Sequence, residues 1–95
     1  MAAGPSRREL EAAWLQRLKR ARSRYEEKTA IHKEMVAQRS RSVWLINLEP
    51  DPDGRFALHM ALQEASAARR EYIRVLKIFT EFILHGTPPE EDPGF

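Results

Sequence analysis

Tyr72-Ile73-Arg74-Val75-Leu76-Lys77-Ile78-Phe79-Thr80-Glu81-Phe82-Ile83-Leu84-His85-Gly86 is the stretch on which the fold turns. At about 100° per residue, Arg70, Arg74, Lys77 and Glu81 fall in a strip about 60° wide, and apolar residues cover roughly 240° of the remainder. Traced upstream, the face opposite that strip reads Leu58, Leu62, Ala65, Arg69, Tyr72, Leu76, Phe79, Ile83. Its steps alternate four and three, the spacing of a seam between packed helices. Gly86-Thr87-Pro88-Pro89 stops the pattern, with Gly86 suited to a helix C-cap.

One neighbouring helix covers a third to a half of a helix surface, so this circumference is too apolar for a single partner. A hairpin alone would expose Ile78 and Phe82 and invite association. The expected fold is all-α: two long antiparallel helices in a helical hairpin, dimerising into a four-helix bundle with two-fold symmetry. The partner face is expected at Tyr72, Val75, Leu76, Ile78, Phe79, Phe82 and Ile83, with Trp44 as a further docking element.

Upstream, Ser6-Arg7-Arg8-Glu9 has the form of a capping box, and Pro5 discourages helix before it. A first stripe follows at Leu10, Trp14, Leu18, Ala21, Tyr25, Thr29, His32, Val36, Arg39 and Val43. Its mean step, about 3.67 residues, is that of a straight helix rather than a strict heptad. Ser40-Arg41-Ser42 is where this helix is expected to fray. Val43-Trp44-Leu45-Ile46-Asn47-Leu48 reads either as its last turns or as an extended piece, and Glu49-Pro50-Asp51-Pro52-Asp53-Gly54 as a turn. The expected organisation is a disordered 1–5, helix 1 over about 6–42, a connector at 43–54, helix 2 over about 55–85, and a frayed acidic tail at 87–95.

A turn centred near Asp51 places Tyr25 beside Leu76, Leu18 near Ile83, Ala21 near Phe79 and Val36 near Ala65. It also sets His32 and Arg69 at one level, where a polar layer would fix the register. The alternative is that Arg69 lays its methylenes along the surface with its charge in water.

The chain of 95 residues is one domain's worth, 32% charged and without cysteine, so neither a disulfide framework nor a thiolate site exists. No run approaches the ~20 apolar residues of a membrane span, and the first residues lack an apolar leader core, so a cytoplasmic location is expected. Net charge is +2, unevenly spread. Residues 1–42 hold 11 Lys/Arg against 5 Asp/Glu, and residues 43–95 hold 5 against 9. Folding the halves together brings opposite fields into contact.

Chemistry finds little footing. The glycines are isolated, so no loop cradles a phosphate, and the histidines at 32, 59 and 85 are too far apart to share a metal. Asp51-Pro52-Asp53-Gly54 fails as a calcium loop because Leu62 stands where a bidentate Glu is needed. No cofactor or metal is expected. Arg17, Lys19, Arg20, Arg22 and Arg24 form a basic run suited to phosphate, but they straddle the Leu18/Ala21/Tyr25 stripe instead of gathering on one face.

In size and helical character the chain resembles the helical chorismate mutases, a resemblance that implies a helix-dimer enzyme with inward Arg and Lys. The short middle helix of that family, and the polar residue expected after its last helix, have no counterpart here, since Gly86-Thr87-Pro88-Pro89 ends helix 2. The reading taken is a non-enzymatic oligomerisation or adaptor module that binds itself or a helical protein partner. A nucleic-acid-associated protein is the alternative, and a helix-dimer enzyme a distant one.

Overall fold

The computed structural model describes residues 4–46, 52–91 and 93, with side chains over 4–41, 53–91 and 93. Among these residues the chain forms two helices, α1 (Arg7–Ile46) and α2 (Pro52–His85), packed along their length as an antiparallel hairpin 69 Å long and 23 × 14 Å across. The all-α hairpin is therefore the fold.

Each helix has an identifiable start and stop. The Ser6 hydroxyl accepts a bond from the Glu9 amide at 3.2 Å, and the Leu10 amide donates to the Ser6 carbonyl at 2.9 Å. The first satisfies an amide that the opening turn leaves without a backbone partner, and the second is the first i→i−4 bond of the helix. Pro52 opens α2, where its fixed φ and missing N–H cost nothing. At the other end the Gly86 amide donates to the Phe82 carbonyl at 2.9 Å with Gly86 at φ +67°, a left-handed cap that suits a residue without Cβ.

α1 runs to Ile46, four residues beyond the expected 42, and α2 begins at Pro52 rather than near 55. Residues 43–46 are thus helical. The expected extended alternative fails there because nothing in Val43-Trp44-Leu45-Ile46 breaks a helix already under way. Residues 47–51 lie outside the described residues.

The longer α1 moves the turn, and the turn sets the register. Midway between Ile46 and Pro52 is two residues earlier than Asp51, which shifts every cross-helix partner by about one helical turn. Tyr25 accordingly meets Tyr72, ring centroids 5.7 Å apart and tilted 36°, where Leu76 was expected. The His32–Arg69 layer dissolves for the same reason: His32 is half-buried, while Arg69 is exposed and a turn away.

The seam of α2 is also rotated. Its buried residues are Ala61, Ala65, Ala68, Val75 and Phe82, with Leu58, Tyr72 and Phe79 half-buried between them. Leu58, Ala65, Tyr72 and Phe79 are shared with the expected seam. The other heptad position is Ala61, Ala68, Val75 and Phe82 instead of Leu62, Arg69, Leu76 and Ile83, which are exposed. The expected seam would have carried Arg69 inward, and an unpaired charge costs several kcal/mol there. The observed seam carries only alanines and large apolar groups.

On α1 the stripe holds at Leu10, Trp14, Leu18, Ala21, Tyr25, Thr29 and His32. Met35 then takes the half-buried place expected for Val36. From Trp14 to Arg39 the covered positions follow strict three-four steps, so the pair winds as a coiled coil and not as two straight rods.

The core is unevenly thick. Trp14, Val75 and Phe82 are fully or almost fully buried towards the chain termini, whereas the turn end is lined by Ala61, Ala65 and Ala68. The Arg7 guanidinium caps the thick end, 5.7 Å from the centre of the Phe82 ring and 3.4 Å from where a Cβ on Gly86 would stand. Phe82→Ala should cost about 3–5 kcal/mol in urea unfolding, and Leu84→Ala, on the exposed side of the same turn, less than about 0.5 kcal/mol. Equal effects would mean that the seam does not run where it is drawn.

Candidate interaction face

The seam divides the hairpin into two sides, and their chemistry is opposite. On one side lie the cross-helix ion pairs. Arg17 donates to Glu71 at 3.3 Å and to Glu91 at 2.8 Å, and Lys28 donates to Glu64 at 3.2 Å. Arg74 joins the cluster, donating to Glu71 at 2.9 Å and to both oxygens of Glu91. The Arg17 guanidinium also lies over the Trp14 ring, 5.0 Å from its centre. It covers an indole whose buried N–H finds no acceptor among the described residues.

Glu91 belongs to the tail, which was expected to fray. Instead, beyond Gly86 the chain doubles back over α2, and Pro93 is buried beside Arg17, Ala21 and Glu71. Pro88 and Pro89 wall a groove with Lys77, Ile78 and Glu81. The prolines hold this short segment extended and reduce the entropy lost on docking, while Glu91 supplies the ionic anchor. Sequence reading missed Glu71 and Glu91. The only signal for them was the net negative balance of the second half.

The geometry fixes the electrostatics of this cluster. The hydrogen bond from Arg74, then the one from Arg17, pulls the Glu91 carboxyl down from its ordinary 4.5 to about 2. Glu71 is lowered by Arg74 first, against an opposing effect of burial, and Arg74 is raised by Glu91 and then Glu71. Both carboxylates remain well exposed to water, so screening limits what they add to stability.

The opposite side is apolar and open. On a wheel of about 100° per residue, Glu64 and Glu71 lie about 80–100° to one side of Tyr72, and Ile83, Leu76, Leu62 and Ile73 about 20–100° to the other. These four side chains are 39–48% exposed, and Leu84 extends the patch. In an antiparallel pair, equal rotations from the seam fall on the same side. Leu15 and Val36 of α1, both exposed, therefore flank Ile83 and Leu62 respectively. From Leu62 to Ile83 the face is about 32 Å long.

The expected interface residues thus separate. Leu76 and Ile83 lie on the open face, and Tyr72, Ile78 and Phe79 are half-buried. Val75 and Phe82 are consumed by the hairpin's own core, so they offer nothing to a partner, and Leu62 and Ile73 take their place. Trp44 sits in the last turns of α1 with its side chain outside the described residues.

The basic run separates too. Arg17 is engaged by Glu71 and Glu91, and Arg22 donates to Glu26 at 3.0 Å. Lys19, Arg20 and Arg24 make no ion pair among the described residues, and with Ser23, Glu27 and Lys28 they line a shallow surface. Glu27, and Glu64 bound to Lys28, interrupt that patch. Comparison with protein-family models, curated proteins and solved structures returned no match.

A carboxyl lowered on folding stabilises above its ordinary pKa and loses that contribution as pH falls through the folded value. The tail should therefore stay docked down to about pH 4.5 and loosen between there and about pH 2, seen as lost solvent protection of the buried Pro93 ring and fading NMR contacts between it and Ala21. Glu91→Gln should loosen it at neutral pH. A tail whose protection ignores both changes is not held by this cluster.

Proposed function

We propose that the chain is a non-catalytic helical docking module acting in the cytosol, with the open face of α2 as its binding surface. One observation supports this above the rest. Four large apolar side chains at near-heptad spacing stand half-exposed on the side that neither α1 nor the tail covers. Among the described residues no helix is long and apolar enough to cross a membrane. Leucine and isoleucine at three-four spacing on a groove between two helices fit a third helix laid along it.

Magnitudes set the strength of such a contact. Burying what remains exposed of Leu62, Ile73, Leu76 and Ile83 contributes about 2 kcal/mol each, or about 8 kcal/mol gross. Association itself costs about 4–15 kcal/mol. The apolar stripe alone therefore supports a reversible complex rather than an obligate one, and the charges around it decide whether a given helix binds. The hairpin meanwhile has its own closed core in Trp14, Val75 and Phe82. Association is thus a function of the module more than a condition of its folding.

Phosphate binding has weaker support. Two of the five basic residues are neutralised within the chain, and the remaining three share their surface with Glu27. Duplex DNA should show no binding at low salt, where a phosphate-binding patch would be strongest.

Leu76→Glu combined with Ile83→Glu should leave helix content intact and change unfolding stability by less than about 1 kcal/mol, since neither side chain is in the core. The same variant should abolish every helix-docking event at this face. A loss of about 3 kcal/mol or more would make the two residues structural and remove the proposed surface.

A further inference from the structure

We propose that the open face receives an acidic amphipathic helix from another protein in preference to a second copy of this chain, an inference that rests on the docking reading above. Unpaired charge is distributed unevenly around the open face. Lys33 of α1 and Arg69, Arg70 and Lys77 of α2 lie on or beside the open face, and none has an ion-pair partner among the described residues. The carboxylates on that side are Glu11 and Glu26, each already bound by an arginine one turn before it on α1, and Glu81, which shares the outer strip of α2 with Arg70 and Lys77. Glu64, Glu71 and Glu91, the carboxylates that bridge elements, all lie on the far side. The rim of the apolar stripe is therefore net cationic, with Lys33, Arg69, Arg70 and Lys77 set against the single carboxylate of Glu81.

A second copy meets that rim badly. Docked antiparallel about a two-fold axis near Ile73, the stripe matches Leu62 to Ile83 but brings Arg70 alongside Lys77 of the other copy. Docked parallel, Arg69 faces Arg69. Like charges face each other in both arrangements, which discriminates against self-pairing. A helix with leucine or isoleucine along one face and Glu or Asp on its shoulders fills the same groove and meets Arg69, Arg70 and Lys77 with opposite charge. A lipid surface fits less well. Leu62, Leu76 and Ile83 sit beside the seam, half-covered, while the cationic side chains stand outward of them, and a bilayer needs the apolar groups outermost.

The test uses the full chain and two synthetic helical peptides of about three heptads, identical along a Leu/Ile stripe, one flanked by Glu and the other by Lys. The Glu-flanked peptide should bind about tenfold or more tightly than the Lys-flanked one. Arg70→Glu with Lys77→Glu should reverse that ranking, Leu76→Glu should remove binding of both peptides, and Arg20→Glu with Arg24→Glu should change neither. Sedimentation of the protein alone and binding to phosphatidylserine vesicles complete the set.

Equal peptide affinities would overturn the inference while leaving the docking face in place. So would a dimer abolished by Leu76→Glu, or vesicle binding through the same residues with no peptide bound. If no peptide, second copy or vesicle engages the face, and Leu76→Glu alters nothing, the docking reading fails as well.

Discussion

The rotation of α2 about its own axis is the constraint from which the rest of the molecule follows. Two apolar heptad stripes compete on that helix, sharing Leu58, Ala65, Tyr72 and Phe79. One adds Ala61, Ala68, Val75 and Phe82, and the other adds Leu62, Arg69, Leu76 and Ile83. Turning the first inward buries Val75 and Phe82 and lets the backbones approach closely over the alanines. Turning the second inward would bury the Arg69 charge, a penalty of several kcal/mol. The helix adopts the first, and the second, still largely apolar, is left facing outward.

That single choice produces the division of the hairpin into two unlike sides. Once Ala68, Val75 and Phe82 face α1, Glu64 and Glu71 are carried to one flank, within reach of Lys28 and Arg17. The same flank then attracts the tail, because Arg17 and Arg74 together present more donors than Glu71 accepts. Glu91 completes the cluster, and Pro93 is buried as a consequence. Surface ion pairs contribute little singly. Here their effect is geometric: they cover Trp14, pin a segment that would otherwise be loose, and close one flank.

Much of this architecture was legible in the residues. Helix content, the Ser6 cap, the Gly86 stop and the attraction between a basic first half and an acidic second half all follow from local chemistry, whereas the turn expected over Glu49–Gly54 was drawn too long, since Pro52–Gly54 already belong to α2. What escaped depends on comparisons that local chemistry does not make. The seam was misplaced by one residue because periodicity scores both stripes of α2 almost equally, and only the cost of Arg69 against the gain of Phe82 separates them. The register was misplaced by a turn because α1 carries helix through Val43–Ile46, beyond the fray expected at Ser40-Arg41-Ser42. The tail escaped because Glu91 has no sequence neighbour to pair with, and its partners lie 74 and 17 residues away.

The candidate face follows the same logic. Leu76 and Ile83 were expected at an interface and stand exposed on the open face. By sequence alone, α2 has too much apolar circumference for one neighbour. The hairpin answers most of that excess itself, with α1 covering Val75 and Phe82 and the tail shielding the region of Ile78. In the C-terminal half of α2 the remainder is a strip along one flank, with Phe56 and Met60 exposed on the other flank nearer the turn. A strip differs from an all-round apolar surface in what it asks of its environment. All-round exposure must be hidden for the protein to persist, which makes association obligatory. A strip about 32 Å long beside a closed core is tolerable in water, so covering it is conditional on the right partner. Because the apolar term is only comparable to the cost of association, the proposed partner would be selected by the charges on the rim.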